Sequence, residues 1–201
     1  MNKIITVSRE FGSGGREFGR RLAEALNIEY YDKEIVTEVS KHTSLSENYV
    51  RQIIERKPHN LYPITIGRSI LYVENPNAQQ AQSVYTAQRE IITGLAEKSD
   101  CVIVGRCADY ILRDMKPTRL FICADMDSCI RRCMERRGEQ EQQLTEREMK
   151  QRIQSIDRGR AKYYEYYTGL KWGDKLNYDL CINTTGVVIK ELVPKFARMF
   201  E

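Results

Sequence analysis

Residues 8–26, SREFGSGGREFGRRLAEAL, join a short apolar run to a helical pattern. The run at residues 4–7 (IITV) predicts a buried strand, and in residues 17–26 the apolar side chains recur at helical spacing. Between them stand three closely spaced glycines: Gly12, Gly14 and Gly15. A glycine-rich connection of this kind can bind anions, because backbone N–H groups and the helix N-terminus both attract negative charge. The stretch therefore predicts a strand, a phosphate-binding loop and a helix.

The loop has two interpretations. In the first, backbone N–H groups of residues 11–16 surround a phosphate, the glycines supply the positive φ angles, and Arg16 supplies a cation with a planar fork. In the second, the glycines only allow a mobile turn. The position directly after the first strand favours the first interpretation, and so do four arginines in or near the loop: Arg9, Arg16, Arg20 and Arg21.

Length and composition are those of one well-cored globular domain. The chain has 201 residues, of which 41% are hydrophobic and 30% charged, and its net charge is only +4. That near balance does not favour a nucleic-acid partner, and no apolar run approaches the roughly 20 residues of a membrane span. Six scattered cysteines without a CxxC pair, and only two histidines, argue against zinc and favour reduced thiols in the cytoplasm.

Strand-like and helical patterns alternate along the chain. Besides residues 4–7, strands are predicted at residues 101–105 (CVIVG), 120–124 (LFICA) and 178–185 (YDLCINTT), with amphipathic helices between and after them. This alternation is typical of an α/β fold, a three-layer structure with a parallel sheet between helices. Residues 56–79, which contain three prolines, are expected to mix loop with a short helix. Capping boxes predict that helices begin near Ser44 and Thr145.

Charged residues follow the predicted strands, where ligands of parallel sheets bind. Arg106 comes directly after a buried apolar strand, and either a substrate phosphate or a neighbouring carboxylate would be its partner. Further on, Asp157 and Arg160 share a helix face, with Arg158 beside them. Arginines of this kind in a mobile lid neutralise charge during phosphoryl transfer. A solvated charged helix is the alternative, and for residues 147–154 the two interpretations are equally good.

Three stretches together resemble the cytidylate kinase-like family, within the P-loop class of nucleoside monophosphate kinases. They are SREFGSGGREFGRRLAEAL followed by YYD, then VIVGRCADYIL, then IDRGRAKYYEYYTG with the later WGD and YDLCIN, so that the resemblance covers nearly the whole chain. It implies a single P-loop kinase-type domain over residues 1–201. It also implies a small helical lid at residues 134–165 and an acceptor-binding insertion at residues 56–82.

The resemblance implies that the γ-phosphoryl group of ATP, with Mg²⁺, is transferred to a nucleoside monophosphate such as CMP. Donor phosphates would be held by the loop: Gly12, Ser13, Gly14, Gly15, Arg16 and Glu17. The acceptor would be held by three side chains: Asp32, Arg68 and Arg106. Catalysis would fall to five: Arg16, Arg106, Asp157, Arg158 and Arg160. The partners are then nucleotides, and neither a nucleic acid nor a membrane is expected.

The chain departs from the family pattern at the phosphate loop. Cytidylate kinases carry Gly-Lys-Gly-Thr there. Aligned through LAE, their lysine falls on Gly15 and their threonine on Glu17, and a shift by one residue puts the lysine on Arg16. Their aspartate before Gly-Arg is Val104 here, and their Asp-Thr-Gly after the second strand is DKE at residues 32–34. We therefore expect Arg16 to replace the lysine and Glu17 to hold magnesium, directly or through water.

Two other functions stay open. A non-catalytic nucleotide or anion sensor is favoured by the missing lysine and aspartate and opposed by the arginines of the lid. A kinase of another small acceptor, such as a different nucleotide or a phosphorylated metabolite, fits the same residues. The sequence does not distinguish between the two kinase hypotheses. It also does not distinguish a monomer from a homo-oligomer.

Overall fold

The computed structural model describes residues 2–54, 61–66, 69–74, 76–136 and 144–200, and for residues 61–78 within these ranges it describes the backbone alone. The strands are β1 (Ile4–Arg9), β2 (Glu29–Tyr31), β3 (Leu61–Ile66), β4 (Ser69–Glu74), β5 (Cys101–Val104), β6 (Thr118–Cys123) and β7 (Leu180–Asn183). The helices are α1 (Gly15–Leu26), α2 (Lys33–Thr43), α3 (Glu47–Ile54), α4 (Pro76–Lys98), α5 (Ala108–Ile111), α6 (Met126–Glu135), α7 (Glu146–Thr168) and α8 (Ile189–Ala197).

Five strands form one parallel sheet in the order β2-β5-β1-β6-β7. The central strand β1 is almost completely buried because it has a neighbour on each side and helices on both faces, and its residues Ile4, Ile5 and Val7 are apolar. The chain builds β2 and β5 on one side of β1 and β6 and β7 on the other. The loop after β1 therefore opens at the middle of the carboxyl edge, where ligands of such sheets bind.

Helices cover the sheet on both faces and create two cores. On one face α1 and α8 pack together, with Phe18 and Leu22 fully buried against Val193. On the other face α2, α3 and α4 pack with α5 and two tyrosines of α7, around Ile35 and Ile92. This arrangement confirms the predicted three-layer α/β fold. No helix in the described part of the chain is both long and apolar enough to cross a bilayer.

The structure corrects the prediction of loop and short helix at residues 56–79. Strands β3 and β4 form an antiparallel pair in register from Leu61 opposite Glu74 to Ile66 opposite Ser69. Both segments are rich in β-branched and aromatic residues, which favour strands. Pro63, which by itself disfavours a strand, is accommodated opposite Tyr72 because each strand of a two-stranded sheet has a free edge.

Other corrections concern boundaries. Strand β2 at residues 29–31 was not among the predicted strands, and α4 begins at Pro76, whereas the apolar spacing of the sequence predicts a helix only over residues 83–98. The predicted capping box at Ser44 is wrong, because Ser44 ends α2 in a left-handed conformation and the hydroxyl of Ser46 accepts from the Tyr49 N–H instead. The capping box at Thr145 is confirmed. The remaining predicted elements are present, with ends that differ by a few residues.

Candidate active site

The loop between β1 and α1 is closely packed against its surroundings. Gly12 and Gly14 both have φ of 83°, in the left-handed region that favours glycine. A Cβ atom on Gly12 would lie 2.8 Å from the carbonyl oxygen of Cys129, and one on Gly14 would lie 3.1 Å from the side chain of Ile189. The two glycines thus let the loop pass close to α6 and α8 while turning into α1. Close packing on two sides therefore shapes the loop, and only glycine fits at these two positions.

The loop is also tied to the end of β7. The carbonyl oxygen of Ser13 accepts from the Thr184 hydroxyl at 2.7 Å and from Arg132 Nη1 at 3.3 Å. Arg132 Nη2 donates to the backbone carbonyls of Thr184 at 2.5 Å and Val187 at 3.0 Å. Because these groups hold the carbonyl from behind, Ser13 itself is completely buried.

Helix α7 contacts the loop through Asp157 and Arg160. The Phe11 N–H donates to Asp157 Oδ1 at 2.9 Å, and Arg160 Nη1 donates to the same oxygen at 3.1 Å and to the carbonyl of Arg9 at 3.0 Å. Burial raises the pKa of Asp157, and the positive charge of Arg160 opposes that rise. The predicted pairing of Asp157 and Arg160 on one helix face therefore places both beside the loop. It also occupies the Phe11 N–H, which we had expected to face an anion.

Asp32, at the end of β2, lies among three arginines. Its side chain is 3% exposed, and its Oδ2 is 2.5 Å from Arg16 Nε. Its Oδ1 is 3.9 Å from Arg9 Nη2 and 3.8 Å from Arg106 Nη2, while Arg106 Nε donates to its backbone carbonyl at 3.0 Å. Burial lowers the pKa of Arg106, and Asp32 opposes that shift. The carboxylate thus draws the arginines together.

The turn after β5 points Arg106 toward this cluster. Gly105, Arg106 and Cys107 have φ angles of 74°, 59° and 56°, three left-handed residues in succession. The buried side-chain amide of Gln88 donates to the Arg106 carbonyl at 2.9 Å. Left-handed conformations in residues other than glycine are strained, and such strain concentrates at functional sites. The turn is therefore a built feature of the site.

Two cavities adjoin at the carboxyl edge of the sheet. The loop cavity, of about 340 Å³, is lined by Arg9, Glu10, Phe11, Gly12, Gly14, Gly15, Arg16, Arg132, Cys133, Arg136, Met149, Arg152 and Arg160. The edge cavity, of about 490 Å³, is lined by basic residues (Arg9, Arg16, Lys33, Arg51, Arg106, Arg152, Arg160) together with Ser8, Phe11, Val36, Ile54, Gly105, Cys107, Ile156, Tyr163, Tyr164 and Trp172. Five residues line both cavities and form a shared wall: Arg9, Phe11, Arg16, Arg152 and Arg160.

The predicted site residues fall into three groups. Those that line a cavity are Gly12, Gly14, Gly15, Arg16, Arg106 and Arg160. Three support the cavities from behind, namely Ser13, Asp32 and Asp157. Arg158 is exposed on α7 and lines neither cavity, and Arg68 lies outside the described residues.

Glu17 also lies outside both cavity walls. Its carboxylate pairs with Arg21 at 2.8 Å and with Arg136 at the end of α6. Burial works against its ionisation, but the hydrogen bonds and charges of Arg21 and Arg136 win, and the pKa of Glu17 is lowered. The acid that does line the loop cavity is Glu10, whose Oε2 accepts from the Ala124 N–H at 3.1 Å. Burial, and then the nearby Asp157, raise the pKa of Glu10 despite that hydrogen bond.

No site role was predicted from the sequence for two basic cavity residues, Lys33 and Arg51. Arg9 was included only among four arginines that favour a phosphate loop, and Arg152 only within residues 147–154, where lid and surface helix were equally good interpretations. Arg152 carried a detectable signal, because Arg152, Ile156 and Arg160 are spaced four apart and so share one face of α7. Lys33 and Arg51 reach the edge cavity only through the packing of α2 and α3. The position of the Arg9 side chain depends on Gly15 in the same loop and on Gly105 far along the chain, a combination that no local pattern indicates.

Known proteins share this architecture. The uncharacterized protein from Eubacterium ventriosum ATCC 27560 is 29% identical with a TM-score of 0.70, over 98% of each chain. Shikimate kinase from Bacteroides thetaiotaomicron is 14% identical with a TM-score of 0.58, over 98% of each chain. Shikimate kinase from Acinetobacter baumannii in complex with shikimate is 14% identical with a TM-score of 0.54, over 100% of this chain and 93% of that one. At such identities the two shikimate kinases show the fold alone.

A search of curated proteins gave no significant match. The sequence pattern of the cytidylate kinase-like family, by contrast, matches residues 4–186, which include the loop, both cavities and all of α7. The chain therefore belongs to the cytidylate kinase-like family, and the reaction class that this membership supports is phosphoryl transfer of the kinase type.

Proposed function

We propose that the protein transfers the γ-phosphoryl group of ATP to a nucleoside monophosphate, with CMP as the first acceptor to test. The observation that carries this proposal is the shared wall between the loop cavity and the edge cavity. In-line transfer needs a donor and an acceptor on opposite sides of the moving group, and positive charge where that group passes. A wall with four arginines between two cavities has both properties.

The donor phosphates would lie in the loop cavity. Gly12 and Gly14 bring the backbone close to them, and Gly15 begins α1, whose N-terminus attracts negative charge. Arg132 and Arg136 line the far side of the same cavity. Arg136 follows the last residue of α6, so the predicted lid would approach the phosphates from there. The ion pair of Arg136 with Glu17 connects this segment to α1.

Magnesium would enter with ATP and neutralise charge on its phosphate oxygens. The wall of the loop cavity fits the ion, because Glu10 places a carboxylate there that accepts one hydrogen bond from the described residues, from the Ala124 N–H. Within the described residues no group of three or more acidic, histidine or cysteine side chains could hold a metal. Phosphate oxygens and water would therefore supply most of the ligands. Glu17, our sequence prediction for this role, is already bound by two arginines.

The acceptor would lie in the edge cavity with its phosphate toward the shared wall. Arg106, which lines this cavity and not the other, would bind that phosphate, and Asp32 would hold Arg106 in place. Tyr163 and Trp172 offer aromatic surface in the same cavity for the base and sugar. Arg68, which we also predicted as an acceptor ligand, would belong to the insertion at residues 56–82.

A kinase of another small anionic acceptor is the second candidate. The edge cavity favours it, because basic side chains stand on several sides: Arg51 and Lys33 as well as Arg106 and the shared wall. Such a cavity would attract any compact anion, including a phosphorylated metabolite or a carboxylate such as shikimate, which one structural neighbour binds. A cytoplasmic location, where ATP is abundant and thiols stay reduced, completes the proposal.

The test is a panel of acceptors incubated with Mg-ATP: CMP, dCMP, UMP, AMP, GMP and shikimate. ADP release and the phosphorylated product are both measured, the product by anion-exchange chromatography, so that simple ATP hydrolysis is recognised. Arg147→Ala is the matched control, because Arg147 is an exposed arginine on α7 that lines neither cavity. Transfer to CMP or another nucleotide supports the proposal. Transfer to shikimate alone supports the second candidate, and tight ATP binding without transfer to any acceptor supports the sensor.

A further inference from the structure

The side chain of Arg9 follows an unusual path between two glycines. Arg9 is the last residue of β1, and its side chain is 14% exposed. A Cβ atom on Gly15 would collide with the Arg9 Cβ and lie 3.0 Å from its Cγ. A Cβ atom on Gly105 would collide with Arg9 Nη1 and lie 2.9 Å from Cζ. The arginine thus crosses the start of α1 and ends at the turn after β5, and both positions must lack a side chain.

This path leaves the guanidinium at the centre of the site with its hydrogen-bonding capacity unused. Arg9 lines both cavities as part of the shared wall. Its contact with Asp32 is a 3.9 Å ion pair, and it makes no side-chain hydrogen bond to another residue in the described part of the chain. Burial, and then the charge of Arg160, lower the pKa of Arg9 to about 9, so the group is a cation at neutral pH with little opposing charge. A guanidinium has five N–H donors, and those of Arg9 that face the cavities are available to an anion.

Gly15 is one of the two positions on which the lysine of cytidylate kinases falls when the sequences are aligned. No side chain fits there while Arg9 is present. The other position, Arg16, has a side chain that is 56% exposed and bound to Asp32 at 2.5 Å. Its charge is therefore largely compensated before any ligand arrives. Of the two arginines, the buried Arg9 has the looser contact with Asp32, at 3.9 Å, so more of its charge remains available between the cavities.

We propose that Arg9 is a catalytic residue that binds the transferring phosphate, supplying from the end of β1 the cation that the glycine loop itself lacks. Gly15 and Gly105 then have a steric role, because the absence of a side chain at both positions leaves the space that Arg9 occupies. This inference rests on the proposed function for the identity of the anion. It differs from the sequence prediction, in which Arg16 replaced the lysine, and it leaves Arg16 a secondary role beside Asp32.

The experiment measures binding by calorimetry with two probes, ATP and inorganic tripolyphosphate, together with transfer to the best acceptor. Arg9→Met removes the charge and keeps much of the side-chain volume. We expect it to raise Kd for both probes about 10- to 100-fold, the range expected for a lost charge-assisted contact. Arg16→Met should weaken binding less. Arg20→Met is the control, because Arg20 is an exposed arginine of α1 that pairs with Glu24 and lines neither cavity.

A relocation of the charge gives a second, independent readout. Gly15→Lys alone should bind poorly, because its Cβ collides with Arg9. The double variant Arg9→Gly/Gly15→Lys removes the two closest contacts, both with Arg9, and leaves the Ile122 Cβ at 3.1 Å, a tight contact that a small shift relieves. Because it returns a cation to the same region, it should bind tripolyphosphate more tightly than Arg9→Gly does. This variant also decides the matter if Arg9→Met does not fold, as judged by thermal unfolding.

The outcomes separate this inference from the proposed function. If wild type binds both probes and Arg9→Met binds them equally well while Arg16→Met loses affinity, Arg9 is not the cation and the kinase proposal stands. A folded double variant that binds no better than Arg9→Gly would likewise overturn the inference. If wild type binds neither probe, both proposals fall.

Discussion

Asp32 illustrates how a single side chain organises this site. Its carboxylate is almost completely buried, and such a group is tolerated only with compensating charge. Arg16 contacts it directly, while Arg9 and Arg106 stay at 3.9 and 3.8 Å. Its Oδ1 has no hydrogen-bond partner among the described residues. The carboxylate therefore holds the two more distant arginines near the cavities without consuming their hydrogen-bonding capacity, which a phosphate can then use.

Arg106 should distinguish the acceptor from the donor. We expect Arg106→Ala to raise KM for the acceptor about tenfold or more, the loss of one charge-assisted contact, with ATP affinity changed about twofold at most. The reason is that Arg106 lines the edge cavity and does not line the loop cavity. Separate titrations with ATP and with the acceptor check this, and Arg113→Ala, at an exposed arginine outside both walls, is the control. Weaker ATP binding with an unchanged acceptor KM would mean that the two cavities are assigned in reverse.

Substitution of Glu10 should change the Mg²⁺ requirement of the reaction, and substitution of Glu17 should not. Glu10→Gln preserves the shape of the side chain and an acceptor for the Ala124 N–H but removes the charge from the loop cavity. We expect it to raise the Mg²⁺ concentration needed for half-maximal activity severalfold, since carboxylates are preferred ligands of this ion. Glu17→Gln should leave that concentration unchanged and lower stability through its lost pairs with Arg21 and Arg136. An equal shift in both variants would exclude Glu10 as the specific ligand.

At the scale of elements, α7 is the part that joins the two cavities. It begins with a capping box at Thr145, runs for 23 residues, and attaches to the loop through Asp157 and Arg160. Because a helix brings residues four apart to the same face, Arg152 and Arg160 both reach the shared wall. Arg158 points elsewhere and is exposed. The helix therefore contributes charge to the wall at regular intervals.

This role predicts a kinetic signature. Arg160→Ala should lower kcat about a hundredfold with a much smaller change in KM, if its contact with the phosphoryl group strengthens in the transition state. Asp157→Asn should have a smaller effect, because asparagine can still accept the Phe11 N–H and the lost charge only orients Arg160. Steady-state kinetics with Arg147→Ala in parallel measure both. Full activity of Arg160→Ala would show that Arg160 of α7 has no catalytic role, and the kinase proposal would be unaffected.

Elements differ in how well the sequence predicts them. The buried strands β1, β5 and β6 were predicted, since each contains a run of mostly apolar residues covered on both faces of the sheet. Strand β2 was missed because it is short and only half-buried. Strands β3 and β4 were not predicted, because the prolines of residues 56–79 indicate loop more strongly than the β-branched residues there indicate strands. In the site, local signals such as the glycines and the Asp157–Arg160 spacing were found. Contacts made by the folded chain, such as Glu17 with Arg136, were not.

At the scale of the whole molecule, buried acids set the response of stability to pH. Asp109 is 3% exposed, its Oδ2 accepts from the Tyr164 hydroxyl at 2.6 Å, and its Oδ1 has no hydrogen-bond partner among the described residues. Burial raises the pKa of Asp109, although the Tyr164 bond opposes the rise. The folded protein thus binds this proton more tightly than the unfolded chain does. As pH rises from the unfolded pKa through the raised folded one, ionisation lowers the free energy of unfolding.

Asp109→Asn should therefore stabilise the domain at neutral pH, and the gain should vanish as pH falls toward about 4, the ordinary pKa of aspartic acid. Urea unfolding across that range measures it. Asp179→Asn is a control of opposite sign, because hydrogen bonds from Arg119 lower the pKa of Asp179. That variant should be destabilised at neutral pH, and the deficit should disappear as pH falls through the lowered pKa. A pH-independent effect of Asp109→Asn would show that packing, and not charge, dominates at this position.

The backbone of Arg106 and Cys107 adopts a left-handed conformation, which is unfavourable for L-amino acids other than glycine. Each left-handed residue other than glycine costs about 1–2 kcal/mol, whereas a whole domain is stable by about 5–15 kcal/mol. Glycine at either position would relieve that strain. At position 106, however, the same change would remove one of the two described arginines, Arg51 and Arg106, that line the edge cavity and not the loop cavity. It would also remove the hydrogen bond to the Asp32 carbonyl and a cation beside the buried Asp32 carboxylate. Selection for activity should therefore keep arginine at position 106 despite its strained backbone.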